Sequence, residues 1–412
     1  MNNAWTGGQY SFFRALLGAY LLLHFAQLLP YGAELFSSAG VLSDASLSPL
    51  ARAFPNVLLW LDGPAWVSAW LAAGVGLSAL FALGIRDRIA ALALWYLWAC
   101  LFGRNPLIAN PSIPYVGFML VAHALLPKAP YGSIAARGRV DPNGGWQMPR
   151  GIYFAAWVAL AAGYTYSGST KLASPSWLDG SAIERVLSNP LARPGYLGDA
   201  LLALPDTILR AMTWGALAME ISFAPLALFR RLRPWLWTAM LSMHLGLIAL
   251  IDFADLSIAM VLVHAFTFDP AWIPARAGKA GSIFYDGGCG LCHRFVRFVL
   301  AEDRSDQPFR FAPLAGDTFA SKVPLPLRAE LPDSVIVLTP RGELLQRSAA
   351  AIHVLDHLGG MWRAIAFLLR LVPRPLRDLG YDAVASVRKR VFAPPSGACP
   401  LAPPKLAARL DP

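Results

Sequence analysis

For about two-thirds of its length the chain alternates long apolar runs with short polar connections. The runs are Phe12–Pro30, Pro64–Ile85, Ile89–Phe102, Pro114–Leu126, Ile152–Ser167, Ile208–Phe229, Pro234–Ile251 and Leu256–Phe268. A helix that crosses the hydrocarbon core needs ~20 apolar residues. The pattern therefore predicts a polytopic α-helical membrane domain of about eight spans, with the third, fourth and last runs short for a full crossing. Two connections, 31–63 and 168–207, are long enough for either an extracytoplasmic loop or a short interfacial helix. After residue 270 the periodicity changes. Ser282–Tyr285, Phe309–Leu314 and Ser334–Leu338 read as strands, and Glu343–Leu345 as the return strand of a hairpin turned by Thr339-Pro340-Arg341-Gly342. Phe295, Val296, Phe298, Val299 and Leu300 form a helical stripe. Helical patterns follow over Ser348–Leu358 and Met361–Leu371, the latter stopped by Pro373. Two domains result: 1–272, all-helical, and 281–402, α/β.

Composition and charge sharpen the first domain. Of 412 residues, 56% are hydrophobic and 15% charged, where soluble domains hold nearer a quarter charged. The net charge of +10 is not a nucleic-acid footprint, because much of it lies in short loops between apolar runs. With the N-terminus inside, the inner loops 86–88, 127–151 and 230–233 carry Arg86, Arg88, Lys128, Arg137, Arg139, Arg150, Arg230, Arg231 and Arg233. The longer outer loops carry Arg52, Arg104, Lys171, Arg185 and Arg193. That bias predicts a multi-pass protein of a bacterial-type inner membrane, in contact with lipid, with its C-terminal domain in the cytoplasm. The segment before Phe12 has no Lys or Arg, so the first run reads as an anchor rather than a cleaved signal.

The candidate chemistry of the second domain lies at its first strand–helix junction, Tyr285-Asp286-Gly287-Gly288-Cys289-Gly290-Leu291-Cys292-His293. The glycines turn the chain. Cys289 then falls at the first turn of a helix, where unpaired N–H groups and the helix dipole favour a thiolate. Cys292, three residues on, is placed to resolve a mixed disulfide. Asp286 either takes the Cys292 proton or caps the turn. The order β-α-β, then β-β-α, with Cys-x-x-Cys at the first junction predicts a thioredoxin-like fold. Zinc is the competing reading; it would need Cys399 with His353 or His357 to complete four ligands.

The stretch is similar to the D-x-x-C-x-x-C signature of the DCC family of thiol-disulfide oxidoreductases. The resemblance continues through Phe311-Ala312-Pro313-Leu314, Asp333-Ser334, Arg347-Ser348-Ala349-Ala350, Pro373-Arg374-Pro375-Leu376-Arg377-Asp378, Tyr381-Asp382 and Cys399. It implies thiol–disulfide exchange through Cys289 and Cys292, with no cofactor beyond the dithiol, on a protein or small-molecule disulfide.

The first domain has candidates of its own. Glu220 and His244 lie at similar depth in consecutive antiparallel runs, and a carboxylate in hydrocarbon marks an interior or a cavity. Contact between them, as a bond between helices, is one expectation. Lys171 follows a run, among Tyr, Trp and Gly. It reads as a snorkelling interfacial anchor or as a desolvated base. Gly168, Lys171-Leu172, Trp177 and Gly180, with Glu220 ahead of Pro225 and with His244, resemble the horizontally transferred transmembrane domain that vitamin K-dependent gamma-carboxylases carry. That resemblance implies a quinone-like or lipid ligand. In the carboxylases the lysine at the Lys171 position deprotonates vitamin K hydroquinone. Three function classes are thus expected: a membrane-anchored dithiol oxidoreductase, a membrane enzyme or carrier regulated by its dithiol, and a non-catalytic membrane scaffold.

Overall fold

The computed structural model describes residues 4–332, 334–392 and 404–412; Asp333 and Cys399 lie outside them. Each of the eight apolar runs is a helix: α1 Gly7–Leu28, α2 Pro64–Leu83, α3 Asp87–Arg104, α4 Ile113–Leu125, α5 Arg150–Lys171, α6 Asp206–Ala227, α7 Arg233–Leu250 and α8 Ala254–Thr267. Among the described residues, two stretches are long and apolar enough to cross a membrane, Gly7–Phe36 and Pro64–Leu83. α4 and α8 are apolar but only 13 and 14 residues long. α5 ends in the polar run Thr165–Lys171, and α6 holds Asp206, Arg210 and Glu220. The long connections carry short helices, Gly32–Phe36 in the first and Pro175–Leu178, Ala182–Leu187 and Tyr196–Leu202 in the second.

The chain forms two compact units. One comprises Phe13–Leu126 and Pro149–Phe268; the other gathers Asn2–Phe12, Pro127–Met148 and Asp269–Pro412. The second unit is therefore assembled from three segments rather than cut at one point along the chain.

Its centre is a four-stranded sheet of order β2-β1-β3-β4, with β1 Ser282–Tyr285, β2 Arg310–Pro313, β3 Ile336–Leu338 and β4 Leu344–Gln346. β1 runs parallel to β2, joined by α9 Gly290–Glu302, and antiparallel to β3, which forms a hairpin with β4. A parallel β-α-β half beside an antiparallel hairpin is the arrangement of a thioredoxin-like domain. The helices α10 Arg347–Leu358, α11 Gly360–Leu371 and α12 Arg374–Val391 follow. β1 is buried along its whole length, as expected of a central strand covered on both faces. Ile283, Val296, Val299, Phe311, Val337 and Val354 form the core around it.

Two buried carboxylates fix the ends of this unit. Glu302, at the end of α9, accepts hydrogen bonds from Thr6 Oγ1, Gly8 N (2.8 Å) and Trp362 Nε1 (2.7 Å). The start of α1 thus caps on a carboxylate from residues far along the chain, with the helix dipole favouring the charge. A Cβ on Gly8 would stand 2.5 Å from that carboxyl group, so a side chain there would have to displace it. Asp356 on α10 pairs with Arg276 (2.6 Å), Arg370 (3.1 Å) and Arg363 (3.3 Å). Burial alone would raise its pKa; Arg370, Arg276 and Arg363 outweigh it and hold the carboxyl below the usual carboxylate range.

Candidate active site

β1 delivers Asp286 to a turn. The Asp286 carboxylate accepts the Gly288 N–H (2.9 Å), and the Cys289 N–H returns to the Asp286 carbonyl (3.2 Å). Of its two expected roles, the carboxylate occupies the turn-capping one. Cys289 is the N-cap of α9 in extended backbone, and its sulfur accepts the Cys292 N–H at 3.4 Å. A sulfur in the place of the usual capping oxygen meets an otherwise unsatisfied helical N–H, which is how the backbone stabilises a thiolate. The His293 ring turns away and donates from Nε2 to the Gly287 carbonyl (2.9 Å).

Both cysteines are free thiols and both are buried, Cys289 at 1% and Cys292 at 4% exposure. Burial pushes the Cys292 thiol up to about 12, and the hydrogen bond and charge of Cys289 add to it; a backbone hydrogen bond from Asp286 and the charge of Arg388 act the other way. Burial thus keeps the proton on Cys292, while the Cys289 sulfur caps the helix.

The basic stretch after Pro373 becomes α12, and α12 roofs the dithiol. Asp378 accepts from the Ser348 backbone N–H (3.3 Å) and hydroxyl at the start of α10, Tyr381 Oη accepts from Val335 N (3.2 Å), and Asp382 pairs with Arg347 (3.3 Å). Arg347 adopts the left-handed region, φ 53°, an uncommon state for a non-glycine residue. Under the roof lies a cavity of about 170 Å³ bordered by Cys292, Phe295, Arg347, Tyr381, Val384 and Arg388. Cys289 does not border it. Asp378, Tyr381, Asp382, Ala385 and Arg388 follow helical spacing on one face; this spacing was the signal available in the sequence for the roof.

In the other unit, Lys171, Glu220 and His244 line one cavity of about 330 Å³, together with Tyr115, Tyr164 and Trp177. Lys171 Nζ lies 2.5 Å from Glu220 and 4.5 Å from the centre of the Trp177 ring. Glu220 therefore pairs with Lys171. His244 Nε2 meets Tyr164 Oη at 2.9 Å, and Tyr164 Oη is also 3.3 Å from His264 Nε2. Gly168 explains the approach of α5 to α6: a Cβ there would stand 2.7 Å from Ile221 N and 2.9 Å from Glu220 Cβ. Pro225 has no N–H to give the Ile221 carbonyl. Thr165 Oγ1 donates to that carbonyl (3.3 Å) and accepts the Ala224 N–H (3.0 Å). The proline thus opens a bonding position that ties the two helices together beside Glu220.

A family model described as DCC1-like thiol-disulfide oxidoreductase matches residues 283–394. The uncharacterized protein YuxK of Bacillus subtilis (strain 168) is 33% identical over 134 residues, which cover 32% of this chain and 93% of the relative. A chloroplastic DCC family protein of Arabidopsis thaliana is 30% identical over 116 residues, covering 28% of this chain and 66% of the relative. No solved structure gives a significant match.

Proposed function

The chain belongs to the DCC1-like thiol-disulfide oxidoreductase family, and from that premise we propose a membrane-anchored oxidoreductase whose dithiol works on the cytoplasmic side. The observation that carries the chemistry is the Cys292 N–H donated to the Cys289 sulfur. Cys289 attacks a substrate disulfide as thiolate and forms a mixed disulfide. Cys292, which keeps its proton until then, displaces the product and closes the Cys289–Cys292 disulfide. In a reducing compartment the pair rests as a dithiol, which favours a reductase or relay over a disulfide maker. The orientation is supported by the make-up of the second unit. It combines the N-terminal segment, the basic 127–148 loop and the dithiol domain, all of which the charge bias assigns to the inner side.

Trapping tests this reading. Cys292→Ser is expected to accumulate a covalent partner that disappears when Cys289→Ser is added. A Cys292→Ser protein that traps nothing while the reduced pair shows an ordinary thiol titration sinks it.

The Lys171–Glu220 cavity favours a second reading, a quinone-like or lipid substrate in the helical unit with the dithiol as regulator. Its apolar walls, an ion pair and the Tyr164–His244 bond suit an amphipathic ring or headgroup. Lys171→Met and Glu220→Gln against Cys289→Ser separate the two readings by which change removes the phenotype.

A further inference from the structure

Resting on the membrane-anchored part of that reading, we infer that the outer face of α11 and α12, with an arginine pocket beside its end, is a docking surface for an anionic lipid bilayer. Three observations carry the inference. The first is a bare apolar face. Phe367 and Leu371 on α11, and Leu376, Leu379, Val387 and Val391 on α12, are each between 45% and 68% exposed. Along α12 these positions follow helical spacing on the side opposite Tyr381, Ala385 and Arg388, which border the cavity at Cys292. One face of α12 thus covers the dithiol and the other is left open, and large exposed apolar patches mark interaction surfaces. The second observation is charge. Residues 360–391 hold seven Lys or Arg against two Asp. Both acids are turned to other partners, Asp378 to the Ser348 N–H and Arg374, and Asp382 to Arg347. Asp356, which Arg363 and Arg370 meet, is shared with Arg276, so one carboxylate stands against three guanidinium groups. Among the described residues, Arg377 and Arg390 pair with no carboxylate.

The third observation is a pocket of about 380 Å³ bordered by Tyr131, Ser133, Arg137, Arg294 and Arg297. No acidic side chain borders it, and among the described residues none of its arginines pairs with a carboxylate. Arg297 gives one N–H to the Arg139 carbonyl, and the Arg294 guanidinium lies 4.7 Å over the Phe392 ring; neither contact cancels the charge. Phe392 directly follows α12, so the pocket adjoins the end of the apolar face at Val391. These features select the occupant. A second copy would bring a face of the same positive sign, and like charges set against each other are costly. An anionic bilayer meets all three features at once. Its acyl region takes Phe367, Leu371 and Leu379, its surface charge answers the excess of arginine, and a phosphodiester headgroup fits the forked donors of the pocket. The chain itself also holds this unit at a membrane, because Gly7–Phe36, long and apolar enough to cross one, begins within the Asn2–Phe12 segment of the unit. Docked this way, α12 lies between the lipid surface and the dithiol.

The test uses the full chain in phosphatidylcholine nanodiscs that contain a minor share of photoactivatable phosphatidylglycerol or, in a parallel sample, photoactivatable phosphatidylcholine. Adducts are located by peptide mass. The phosphatidylglycerol probe is expected to label peptides spanning 364–392 roughly twentyfold more than the phosphatidylcholine probe, and high salt should shrink that ratio. Arg294→Gln and Arg297→Gln should each lower phosphatidylglycerol labelling about fivefold, the worth of one basic residue at an anionic surface, and leave phosphatidylcholine labelling as it was. The double change Leu371→Asp, Leu379→Asp, at exposed positions that leave the near-UV circular dichroism unchanged, should remove labelling of 364–392 by both probes while α1 and α2 stay labelled. A wild-type chain unlabelled over 364–392, equal labelling there by the two probes, or a homodimer in detergent that Leu379→Asp splits each overturns the inference. Label on α1 and α2 in those cases leaves the membrane-anchored reading in place; α1 and α2 unlabelled by either probe overturns that reading itself.

Discussion

The dithiol and the Lys171–Glu220 pair are both two-residue devices set in apolar surroundings, yet they are made in opposite ways. Cys289 and Cys292 are three positions apart, and one turn of α9 suffices to bring them together. Lys171 and Glu220 are 49 positions apart and meet because Gly168 and Thr165 bring α5 against α6. A local device survives changes in the packing around it; a long-range one depends on that packing. The sensitivities of the two sites should therefore differ in kind.

The largest effect expected is total. Cys289→Ser or Cys292→Ser should abolish dithiol turnover in an insulin-reduction assay while leaving unfolding in denaturant nearly unchanged, because a serine still fits each position. Loss of fold in either variant would erase the contrast with the ion pair. Next comes the pair itself. Glu220→Leu leaves the Lys171 ammonium without its carboxylate in an apolar cavity, at a cost of about 3 kcal/mol. The double change Lys171→Met, Glu220→Leu should recover most of that in SDS unfolding titrations. If the double variant is as unstable as the single, the pair is not what the cavity responds to. Gly168→Ala is smaller, about 1–3 kcal/mol of overpacking between α5 and α6. It should lower thermal stability without touching thiol reactivity, and an unaffected melting curve would refute the close-approach argument.

The smallest effect concerns pH. With its pKa raised to about 12, Cys292 stays protonated across the neutral range. Its alkylation by iodoacetamide in the reduced Cys289→Ser protein should remain slow to pH 9 and climb as pH approaches the raised value. The shift partly relaxes once the Cys289 charge is removed, since that charge is one of its causes. Rapid alkylation at pH 7 would show that the burial seen here does not protect the thiol.

Much of this was legible in the chain. All eight apolar runs became helices, and β1, α9, β2 and the β3–β4 hairpin lie where periodicity and turn residues put them. Each is a local pattern read by a local rule. Boundaries moved by a residue or two: β3 begins at Ile336 rather than Ser334, and β4 ends at Gln346. The partner of Glu220 was not legible. Depth along the runs suggested His244, but the rotation of α6 turns the carboxylate to Lys171 and leaves His244 to Tyr164. The stretch after Pro373 was legible only as a one-sided helical spacing, without what that face covers. Its arginines suggest a solvated or lipid-facing helix, and only the bonds of Asp378, Tyr381 and Asp382 turn it into the roof of the dithiol.

The sequence by itself determined the chemistry of the dithiol and the helical or extended state of each segment, because spacing within a turn and the period of apolar residues are properties of neighbours. Tertiary structure alone decided which sulfur faces a cavity, which charge answers Glu220, and that Thr6 and Gly8 close on Glu302 from the far end of the chain. Those depend on helix rotation and long-range packing, where many arrangements satisfy the same pattern and steric fit at positions such as Gly8 and Gly168 selects among them.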